Sequence, residues 1–573
     1  MGGFVLIRRG AGKRAARTAA RSFVDQGFTL NARCESAQYE ALFFAPTVAP
    51  GTMIVKGEGG DFCAASGTLL YAGRRGAPAL EALHDAFDPE KIEPADFQGA
   101  FCVLLRKAGR SFLFIDRLGV YKTYVSADGL VWSSSFLAVA SSLEKCRIER
   151  QCVYEYVFQG ATYGDATVLR DITLARAERL YEIGDEVRQT TMPGTFSPSG
   201  DGGELDDHAG RNLHNLRRSF GQIVDQWGND IDTALSGGYD SRFTLALLRE
   251  QGAAPHVHVY GAEQSSDVRV ARAIAKGEGF ALDHQDKSAR PDPPPGDALE
   301  IARRNFLAMD GWPTDGIFNN GADLETRRSR CRDGRLMLNG GGGEIFRNFF
   351  YLPGRHYRIG DIINSFYSQY DPASASPLFD EAAYCETLAG KMKQTLGVTD
   401  DRLERWQVEL LYIIFRCRYW MGRNNSLNSR LGDALTPFID YGLVGDALAI
   451  PLAYKNHGIL EARMIAAINP ALAAYPSDYG HDFAHPPPLK RRLKDWATMA
   501  RPPALRRRLF RLKHRRGPVA RPKLLGPDYL AAYFPDGFAF MADYFAVDKI
   551  ASADQFQRLC TLEYLFRQLS AAP

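Results

Sequence analysis

The segment LSGGYDSR, residues 235–242, combines residue types that bind phosphate. Its two glycines let the backbone approach an anion closely, and the hydroxyls of Ser236 and Ser241 can donate hydrogen bonds to phosphate oxygens. Asp240 is negatively charged and would repel phosphate, so we expect it to bind the Mg²⁺ ion that accompanies phosphates. The lysine of a Walker A loop is absent. The pattern therefore predicts a phosphate site of another type.

The flanking sequence predicts a strand before this loop and a helix after it. IDTALS at 231–236 alternates like a strand, and SRFTLALLREQG at 241–252 has helical spacing. Backbone N–H groups and a helix N-terminus would then meet at the carboxyl edge of a parallel sheet, where anions bind. We expect Asp240 to lie at this exposed edge. An ordinary glycine-rich turn is the alternative, which the complete S-G-G-x-D-S order disfavours.

Strand-like and helical runs alternate beyond the loop. HVHVYG at 256–261 predicts a strand and DVRVARAIAKGEGF at 267–280 a helix. From about residue 360 the chain reads as mostly helical, including a helix over 407–422. This order predicts an α/β fold, a doubly wound parallel sheet with a helical extension. The two histidines of 256–261 share one strand face, where a sheet neighbour is a better partner than a metal ion.

The first quarter of the chain predicts short strands of an antiparallel α+β sandwich. The runs concerned are residues 4–7, 61–73, 99–116 and 129–142. Residues 190–207 are rich in Gly, Pro, Ser and Asp without apolar periodicity, which is typical of a linker. We therefore predict two domains, residues 1–195 and 206–573.

Four segments together resemble the asparagine synthetase family. SGGYDS matches that family's S-G-G-x-D-S loop, and the Ser266-Asp267 pair stands where the family commonly has Ser/Pro-Asp. LMLNGGGGEIF (336–346) and TPFIDYGLVGDALAIPLAYK (436–455) are similar to its later segments, in the same order. The resemblance covers roughly 210–485. It implies an ATP-pyrophosphatase domain of the adenine nucleotide α-hydrolase type, preceded by a glutaminase-like domain of the Ntn-hydrolase type.

The resemblance also implies ATP and Mg²⁺ as cofactors and a set of site residues. The implied nucleotide-binding positions are Leu235, Ser236, Gly237, Gly238, Asp240, Ser241, Val259 and Gly340. Asp240 and Glu344 are implied as catalytic residues and as metal ligands, although Glu344 also fits an acid at the start of a helix. In this alignment Gly341 stands where asparagine synthetases have Glu and β-lactam synthetases have Tyr.

The glutaminase-like domain lacks the residue on which glutamine hydrolysis depends. Enzymes of this type use a cysteine that follows the initiator methionine, with its own α-amino group as the base. Gly2 occupies that position here, and the nearest cysteine is Cys34. We expect a retained fold without glutaminase activity. Lasso-peptide cyclases and β-lactam synthetases resemble asparagine synthetase with the same loss.

Three functions remain open from the sequence. The first is an ATP-dependent amide-forming ligase that adenylates a carboxylate and couples it to an amine, including macrolactam or lasso-peptide closure. The second is an amidotransferase that uses ammonia on aspartate or a sugar acid. The third is a catalytically silent nucleotide-binding scaffold. Partner proteins of a biosynthetic cluster fit the first two functions.

Bulk composition excludes several classes of protein. The net charge of +3 favours neither nucleic acid nor an anionic membrane as a partner, and no apolar run is long enough to span a bilayer. Nine scattered cysteines without a C-x-x-C pair indicate reduced thiols and a cytoplasmic location. The N-terminus does not resemble a signal peptide.

One strongly basic stretch, residues 486–523, stands out against this balance. It predicts either a basic surface for an anionic substrate, peptide or nucleic acid, or a solvated helix face. We favour the helix face, with its leucines in a buried stripe: Leu505, Leu509 and Leu512. The resemblance implies a lysine near here that contacts pyrophosphate, and the candidates are Lys490, Lys494 and Lys523.

Overall fold

Antiparallel strands dominate the first third of the chain, as its short alternating runs predict. The computed structural model describes residues 2–49, 51, 53–200, 202–514 and 521–572. The strands of this part are β1 (Gly3–Arg8), β2 (Thr29–Glu35), β3 (Tyr39–Ala45), β4 (Ile54–Lys56), β5 (Phe62–Tyr71), β6 (Phe97–Lys107), β7 (Arg110–Ile115), β8 (Tyr124–Ser126), β9 (Val131–Ser133), β10 (Ile172–Leu174), β11 (Arg179–Ile183) and β12 (Val187–Thr191). Its helices are α1 (Gly12–Asp25), α2 (Gly76–Ala86), α3 (Phe136–Ser142) and α4 (Arg150–Gln159).

These strands form two six-stranded antiparallel sheets that pack face to face. The orders are β10-β8-β9-β1-β3-β2 and β12-β11-β7-β6-β5-β4. Alternation along β1 shows the layering: Phe4 and Leu6 join the core between the sheets, while Val5 and Ile7 pack on the other face against Phe23 of α1. Helix α2 covers the second sheet. The predicted antiparallel α+β sandwich is confirmed at this level.

One predicted strand is wrong in its second half. Within 129–142 only Val131–Ser133 is a strand, and Phe136–Ser142 is helix α3. The Ser135 hydroxyl accepts a hydrogen bond from the Ala138 N–H and caps this helix. Serine at an N-cap satisfies one of the unpaired N–H groups of a first turn. The apolar run therefore continues as a buried helix.

Strands and helices alternate after residue 204. The strands are β13 (Ile231–Ala234), β14 (His256–Tyr260), β15 (Leu282–Gln285), β16 (Leu336–Leu338), β17 (Tyr357–Arg358), β18 (Arg402–Leu403) and β19 (Ala434–Leu435). The helices are α5 (Leu205–Trp227), α6 (Tyr239–Glu250), α7 (Ser266–Glu278), α8 (Pro295–Ala308), α9 (Ala322–Arg330), α10 (Ile359–Ile362), α11 (Glu381–Leu396), α12 (Arg405–Leu411), α13 (Gly422–Ser429), α14 (Tyr441–Ala449), α15 (Leu452–Lys455), α16 (Ile459–Ile468), α17 (Pro470–Ala473), α18 (Leu489–Met499), α19 (Pro503–His514), α20 (Pro527–Tyr533) and α21 (Ala553–Leu569). The predicted linker at 190–207 overlaps the end of β12 and the start of α5, and Asp201 lies outside the described residues.

Five of these strands form the predicted parallel sheet, in the order β15-β14-β13-β16-β19. The chain therefore moves outward from β13 in one direction and then returns to build on its other side. Val257 and Val259 of β14 pack under α7 on one face. Met337 of β16 packs with Leu324 of α9 on the other. Helices on both faces make the sheet doubly wound, with a topological switch point between β13 and β16.

The predicted helix at 407–422 is interrupted by a different helical form. Residues Tyr412–Met421 are a π-helix between α12 and α13. A π-helix carries one extra residue per hydrogen-bonded ring, so it turns side chains away from the positions that α-helical spacing would give them. Tyr412, its first residue, lies at the site described below.

The leucines of the basic stretch are not buried. Leu505, Leu509 and Leu512 of α19 are 42%, 43% and 58% exposed, so the predicted buried stripe is wrong. Residues 515–520 of the same stretch lie outside the described residues. Separately, none of the helices within the described ranges is both long and apolar enough to cross a membrane.

Gly2 is enclosed at the start of β1. Its carbonyl oxygen accepts hydrogen bonds from the hydroxyls of Ser66 and Tyr121. The backbone has φ of +28°, and a β-carbon added to Gly2 would lie 1.8 Å from the carbonyl oxygen of Phe44. A cysteine side chain therefore cannot fit this backbone without local rearrangement.

We predict that the purified protein does not release glutamate from glutamine, because position 2 has no thiol. The variant Gly2→Cys should also be inactive, since its side chain would collide with the Phe44 carbonyl group. A coupled glutamate assay on both proteins measures this. Glutamate release that co-purifies with the wild-type protein through successive columns would contradict it, as would restored activity in Gly2→Cys.

Candidate functional site

The predicted phosphate loop lies at the carboxyl end of β13, and α6 begins directly after it. Ser241 organises the loop, because its hydroxyl accepts a hydrogen bond from the Ser236 N–H at 2.9 Å and bonds the Ser236 hydroxyl at 2.9 Å. Gly238 is the N-cap residue of α6, and no side chain caps this helix. The unpaired N–H groups of a first helical turn attract anions. The sequence therefore builds an anion-binding geometry here.

The second glycine-rich loop, residues 339–343, follows β16, the strand next to β13. Gly340 packs directly on α6, since a β-carbon there would lie 2.8 Å from the Thr244 hydroxyl oxygen. A β-carbon on Gly343 would lie 2.2 Å from Asp240 Oδ1. Because neither glycine has a side chain, the two loops approach closely at the switch point. The two predicted segments are thus brought together.

Arg347 lies at the centre of this junction. Its Nη2 donates to both carboxylate oxygens of Asp240, at 2.7 and 2.8 Å. The same nitrogen is 3.6 Å from Glu344 Oε1, and Nε is 3.0 Å from Glu461 Oε2. The Asp240 side chain is only 22% exposed and Arg347 16%. Asp240 is therefore not at an exposed edge, as the sequence led us to expect, but in a largely enclosed ion cluster.

Burial controls the protonation of this cluster. Glu461 is fully buried, and burial raises its pKa well above the ordinary value, with a further rise from the neighbouring Asp240 carboxylate. Burial also raises the pKa of Asp240 to about 6, although Arg347 opposes the shift. A protonated Glu461 leaves one negative charge on Asp240 beside the guanidinium. Removing charged groups from water is costly unless they are paired or neutralised.

The residues in this arrangement do not fit a magnesium ion. Mg²⁺ prefers near-octahedral oxygen ligands with several retained waters. Both Asp240 oxygens accept hydrogen bonds from Arg347, and Glu344 Oε2 accepts one from the Tyr412 hydroxyl at 2.5 Å. The cation between these carboxylates is the guanidinium. That Asp240 and Glu344 ligate a metal stays a prediction, and no step below depends on it.

A different cluster brings three potential metal ligands together in the described residues: Asp232, His256 and His258. His256 Nδ1 is 2.7 Å from one oxygen of Asp232 on the neighbouring strand. The guanidinium of Arg330 is 2.5 Å from the other oxygen. A cation already neutralises this carboxylate. Asp232, on the neighbouring strand, is therefore the partner of His256, as the strand alternation predicts.

Residues 475–483 cover the phosphate loop. Buried Arg242 of α6 holds this segment by donating to the carbonyl oxygens of Tyr475 and Pro476 at 2.8 and 2.7 Å. The Asp478 N–H donates to the Gly237 carbonyl oxygen at 3.1 Å. A β-carbon on Gly237 would lie 2.3 Å from Asp478 Cγ, so only glycine permits this approach.

Two carboxylates thus occupy the space where the loop would meet a phosphate. The Gly237 N–H donates to Asp267 Oδ1 at 2.7 Å, and the Asp478 side chain lies beside it. Burial, followed by the nearby Asp267, raises the pKa of Asp478. An anionic ligand has to displace at least one of these acids, since like charges repel at this distance.

Two predicted nucleotide-binding residues point their side chains elsewhere. Leu235 and Val259 are 1% and 2% exposed and belong to the apolar core beneath α7. Only their backbone groups remain for ligand contact. The Leu235 N–H already donates to the His258 carbonyl oxygen at 2.8 Å.

A cavity of about 240 Å³ opens beside Arg347 and Glu344. Its walls include Lys455, His457 and Arg491. Lys455 is buried with Glu409 at 3.0 Å, and His457 bonds Asp495 at 2.9 Å. Mixed charges around a small enclosed space suit a polar ligand that carries a carboxylate.

Sequence reasoning missed the residues that connect this site. Arg347 follows Glu344 by three positions and gives a weak local signal, but Glu461 and Tyr412 give none. Of the predicted lysines, Lys490 and Lys494 are exposed on α18 and line no part of the cavity. Lys523 pairs with Asp292 at 2.5 Å. The lysine that does line the cavity is Lys455.

Three arginines lie just before the Pro-Phe-Ile-Asp segment, where their guanidinium groups could bind a substrate carboxylate or phosphate or pair within the protein: Arg416, Arg418 and Arg423. Arg418 donates to the Leu118 carbonyl oxygen at 2.6 Å, and Arg423 donates to the Asp310 carbonyl oxygen at 2.8 Å. Arg416 lies over the Trp420 ring at 4.0 Å. Their contacts are within the protein, which favours the intramolecular alternative.

Comparisons with known proteins give limited information. No protein-family profile and no curated protein matches the chain. Among solved structures, one described as the allosteric regulatory enzyme of purine biosynthesis aligns at 11% identity over 51% of this chain and 82% of that chain, with a TM-score of 0.23. Glutamine phosphoribosylpyrophosphate amidotransferase from B. subtilis, complexed with ADP and GMP, aligns at 10% identity over 50% and 90%, with a TM-score of 0.21. At these TM-scores the similarities support no argument about function.

The raised pKa of Glu461 predicts a specific pH dependence. The folded protein keeps a proton that the unfolded chain releases near pH 4.5. The contribution of Glu461 to the free energy of unfolding is therefore greatest below that pH and falls as pH rises toward the folded-state pKa. Glu461→Gln stays neutral, so its free energy of unfolding should increase relative to wild type as pH rises above 4.5. Urea titrations measure this difference.

Glu409→Gln is the matched control and should show the opposite sign. Burial alone would raise the pKa of Glu409, but Lys455 and Arg405 lower it below its ordinary value. Its contribution is therefore present at neutral pH and lost as pH falls through the folded-state pKa. The variant should be destabilised at pH 7 by about 3–5 kcal/mol, since it leaves buried cations unpaired. If the free energies of unfolding of the two variants changed with pH in the same direction relative to wild type, the opposite pKa shifts of Glu461 and Glu409 would be contradicted.

Proposed function

We propose that the second domain binds ATP at the Ser236–Ser241 loop and uses it to adenylate a carboxylate, which an amine then captures as an amide. One observation carries the proposal: two glycine-rich loops meet at the switch point of a doubly wound parallel sheet, beside an uncapped helix N-terminus. Ligands of open α/β sheets bind at this position. The adenylation reaction is inferred from the order of the sequence motifs, which resembles that of the asparagine synthetases.

The residues present support binding and orientation. The first-turn N–H groups of α6 and the hydroxyls of Ser236 and Ser241 are of the kind that can donate hydrogen bonds to a leaving pyrophosphate. Arg347 supplies a fixed positive charge on the other side of Asp240. The adjoining cavity, with mixed charges, has room for the acyl substrate. Positioning and electrostatic stabilisation account for much of the rate enhancement in phosphoryl-group chemistry.

A second candidate is nucleotide binding without turnover. It is favoured by the surroundings of Gly341, where a β-carbon would lie 3.1 Å from the Met421 sulfur. This apolar contact stands where the resembled family carries an acid or a phenol.

We predict AMP and pyrophosphate in equal amounts, formed only with the cognate carboxylate. A loop without a P-loop lysine suits pyrophosphate as the leaving group, whereas γ-phosphoryl transfer typically uses such a cation. Hydroxylamine should trap the acyl-adenylate as a hydroxamate. The assay screens carboxylates by pyrophosphate release, with Mg²⁺ and with EDTA.

Ser241→Ala should lower turnover by roughly tenfold or more, because it removes a donor and the bond that organises the loop. Ser329→Ala on α9 is the matched control and should leave turnover unchanged. ADP and phosphate as products would contradict adenylation. ATP binding without turnover on any substrate would favour the second candidate.

A further inference from the structure

Helices α18 and α19 expose their apolar faces to solvent. Six of the ten large apolar side chains that are exposed in the described residues lie on these two helices. They are Leu489 (68%), Leu493 (56%), Trp496 (64%), Leu505 (42%), Leu509 (43%) and Leu512 (58%). Both sets have the spacing i, i+4, i+7, which places each set on one side of its helix. An ordinary surface helix buries such a stripe.

The charged faces of these helices turn toward the protein instead. On α18, Arg491 pairs with Asp495 at 3.2 Å, and both line the cavity beside Arg347. On α19, Arg507 and Arg511 both pair with Glu381. The arginine contacts therefore fix the helices with their leucines outward. This orientation is set by specific interactions.

Further basic residues border the exposed stripes. On α18, Lys490 and Arg492 flank the stripe on opposite sides, about 100° and about 60° around the helix from Leu489. Within residues 489–513, the exposed basic residues that form no ion pair with a described residue are Lys490, Arg492, Lys494, Arg501, Arg508 and Lys513. Lysine and arginine beside an apolar stripe can hold their charges at a polar boundary while the stripe is buried.

We propose that the exposed apolar stripes of α18 and α19 dock on an anionic lipid surface. Helices that lie in a membrane interface present Leu and Trp on one side, with Lys and Arg around them. Trp496 suits this boundary, since indole has an apolar body and one N–H donor. Attraction to anionic headgroups adds to the burial of the apolar side chains. No crossing of the bilayer is involved.

Other occupants fit these observations less well. A second copy of the chain would bring two basic faces together, and nucleic acid would leave six apolar side chains without a partner. An amphipathic peptide needs a groove for its apolar side. The cavity that α18 lines belongs to its opposite face, with Arg491, Asp495 and Met499. Docking of the outer face would hold in place the helix that forms this cavity wall.

Vesicle co-sedimentation of the full-length protein tests the proposal. We expect binding to phosphatidylcholine vesicles that contain phosphatidylglycerol, and weaker binding to phosphatidylcholine alone. Raising the salt from about 0.1 M to about 1 M shortens the screening length from roughly 10 Å to roughly 3 Å and should weaken binding. No sedimentation with the anionic vesicles at low salt would overturn the proposal.

Two variants test the two parts of the surface. Leu489→Ser/Leu493→Ser/Trp496→Ser should lower vesicle affinity by at least about tenfold, because the burial of even one apolar side chain is worth roughly a factor of ten. Lys490→Gln/Lys494→Gln should weaken binding to anionic vesicles only. Leu30→Ser removes an exposed leucine on β2 (51% exposed) and is the matched control. Circular dichroism spectra confirm that the variants are folded.

Unchanged vesicle binding in the triple-serine variant would overturn the proposal. Light scattering supplies an independent test of the alternative occupant. A concentration-dependent dimer that the same variant abolishes would assign the face to contacts between copies of the chain and would also overturn the proposal. Neither outcome depends on nucleotide turnover, so the test is separate from that of the proposed ligase activity.

Discussion

Arg347 joins three separate parts of the region around the parallel sheet through its contacts with carboxyl groups. Asp240 comes from the start of α6, Glu344 from the loop after β16, and Glu461 from α16. Removing Arg347 from this buried cluster should cost about 3–5 kcal/mol, because Asp240 and Glu344 lose their positively charged partner. The positions of both glycine-rich loops therefore depend on this guanidinium. Burial and charge pairing together fix the geometry of the site.

The same interaction limits what the site can bind. Both carboxylate oxygens of Asp240 accept hydrogen bonds from Arg347. The positive charge next to the loop is therefore supplied by this guanidinium. Asp267 and Asp478 add negative charge at Gly237, and a phosphate has to replace at least one of them there. Since Arg242 holds the backbone just before Asp478 through the carbonyl oxygens of Tyr475 and Pro476, that exchange involves the covering segment, residues 475–483, as a unit.

Local features of this chain follow from its sequence, whereas contacts between distant segments do not. Alternation and helical spacing predict β13 and α6 to within a few residues, because these signals depend on neighbouring side chains. The contact of Arg347 with Glu461 joins positions that no periodicity relates. Likewise, spacing shows that Leu505 and Leu509 share a helix face, but not which face meets the protein. The ion pairs of Arg507 and Arg511 with Glu381 determine which face of α19 packs against the protein.

The proposed reaction requires a nucleotide at the switch point, between the N-terminus of α6 and Arg347. A crystal structure of the protein with a non-hydrolysable ATP analogue tests this most directly. The account predicts the terminal phosphates at the first-turn N–H groups of α6, with Asp478 displaced from Gly237. A nucleotide bound elsewhere, with Asp267 and Asp478 still at the loop, would contradict it.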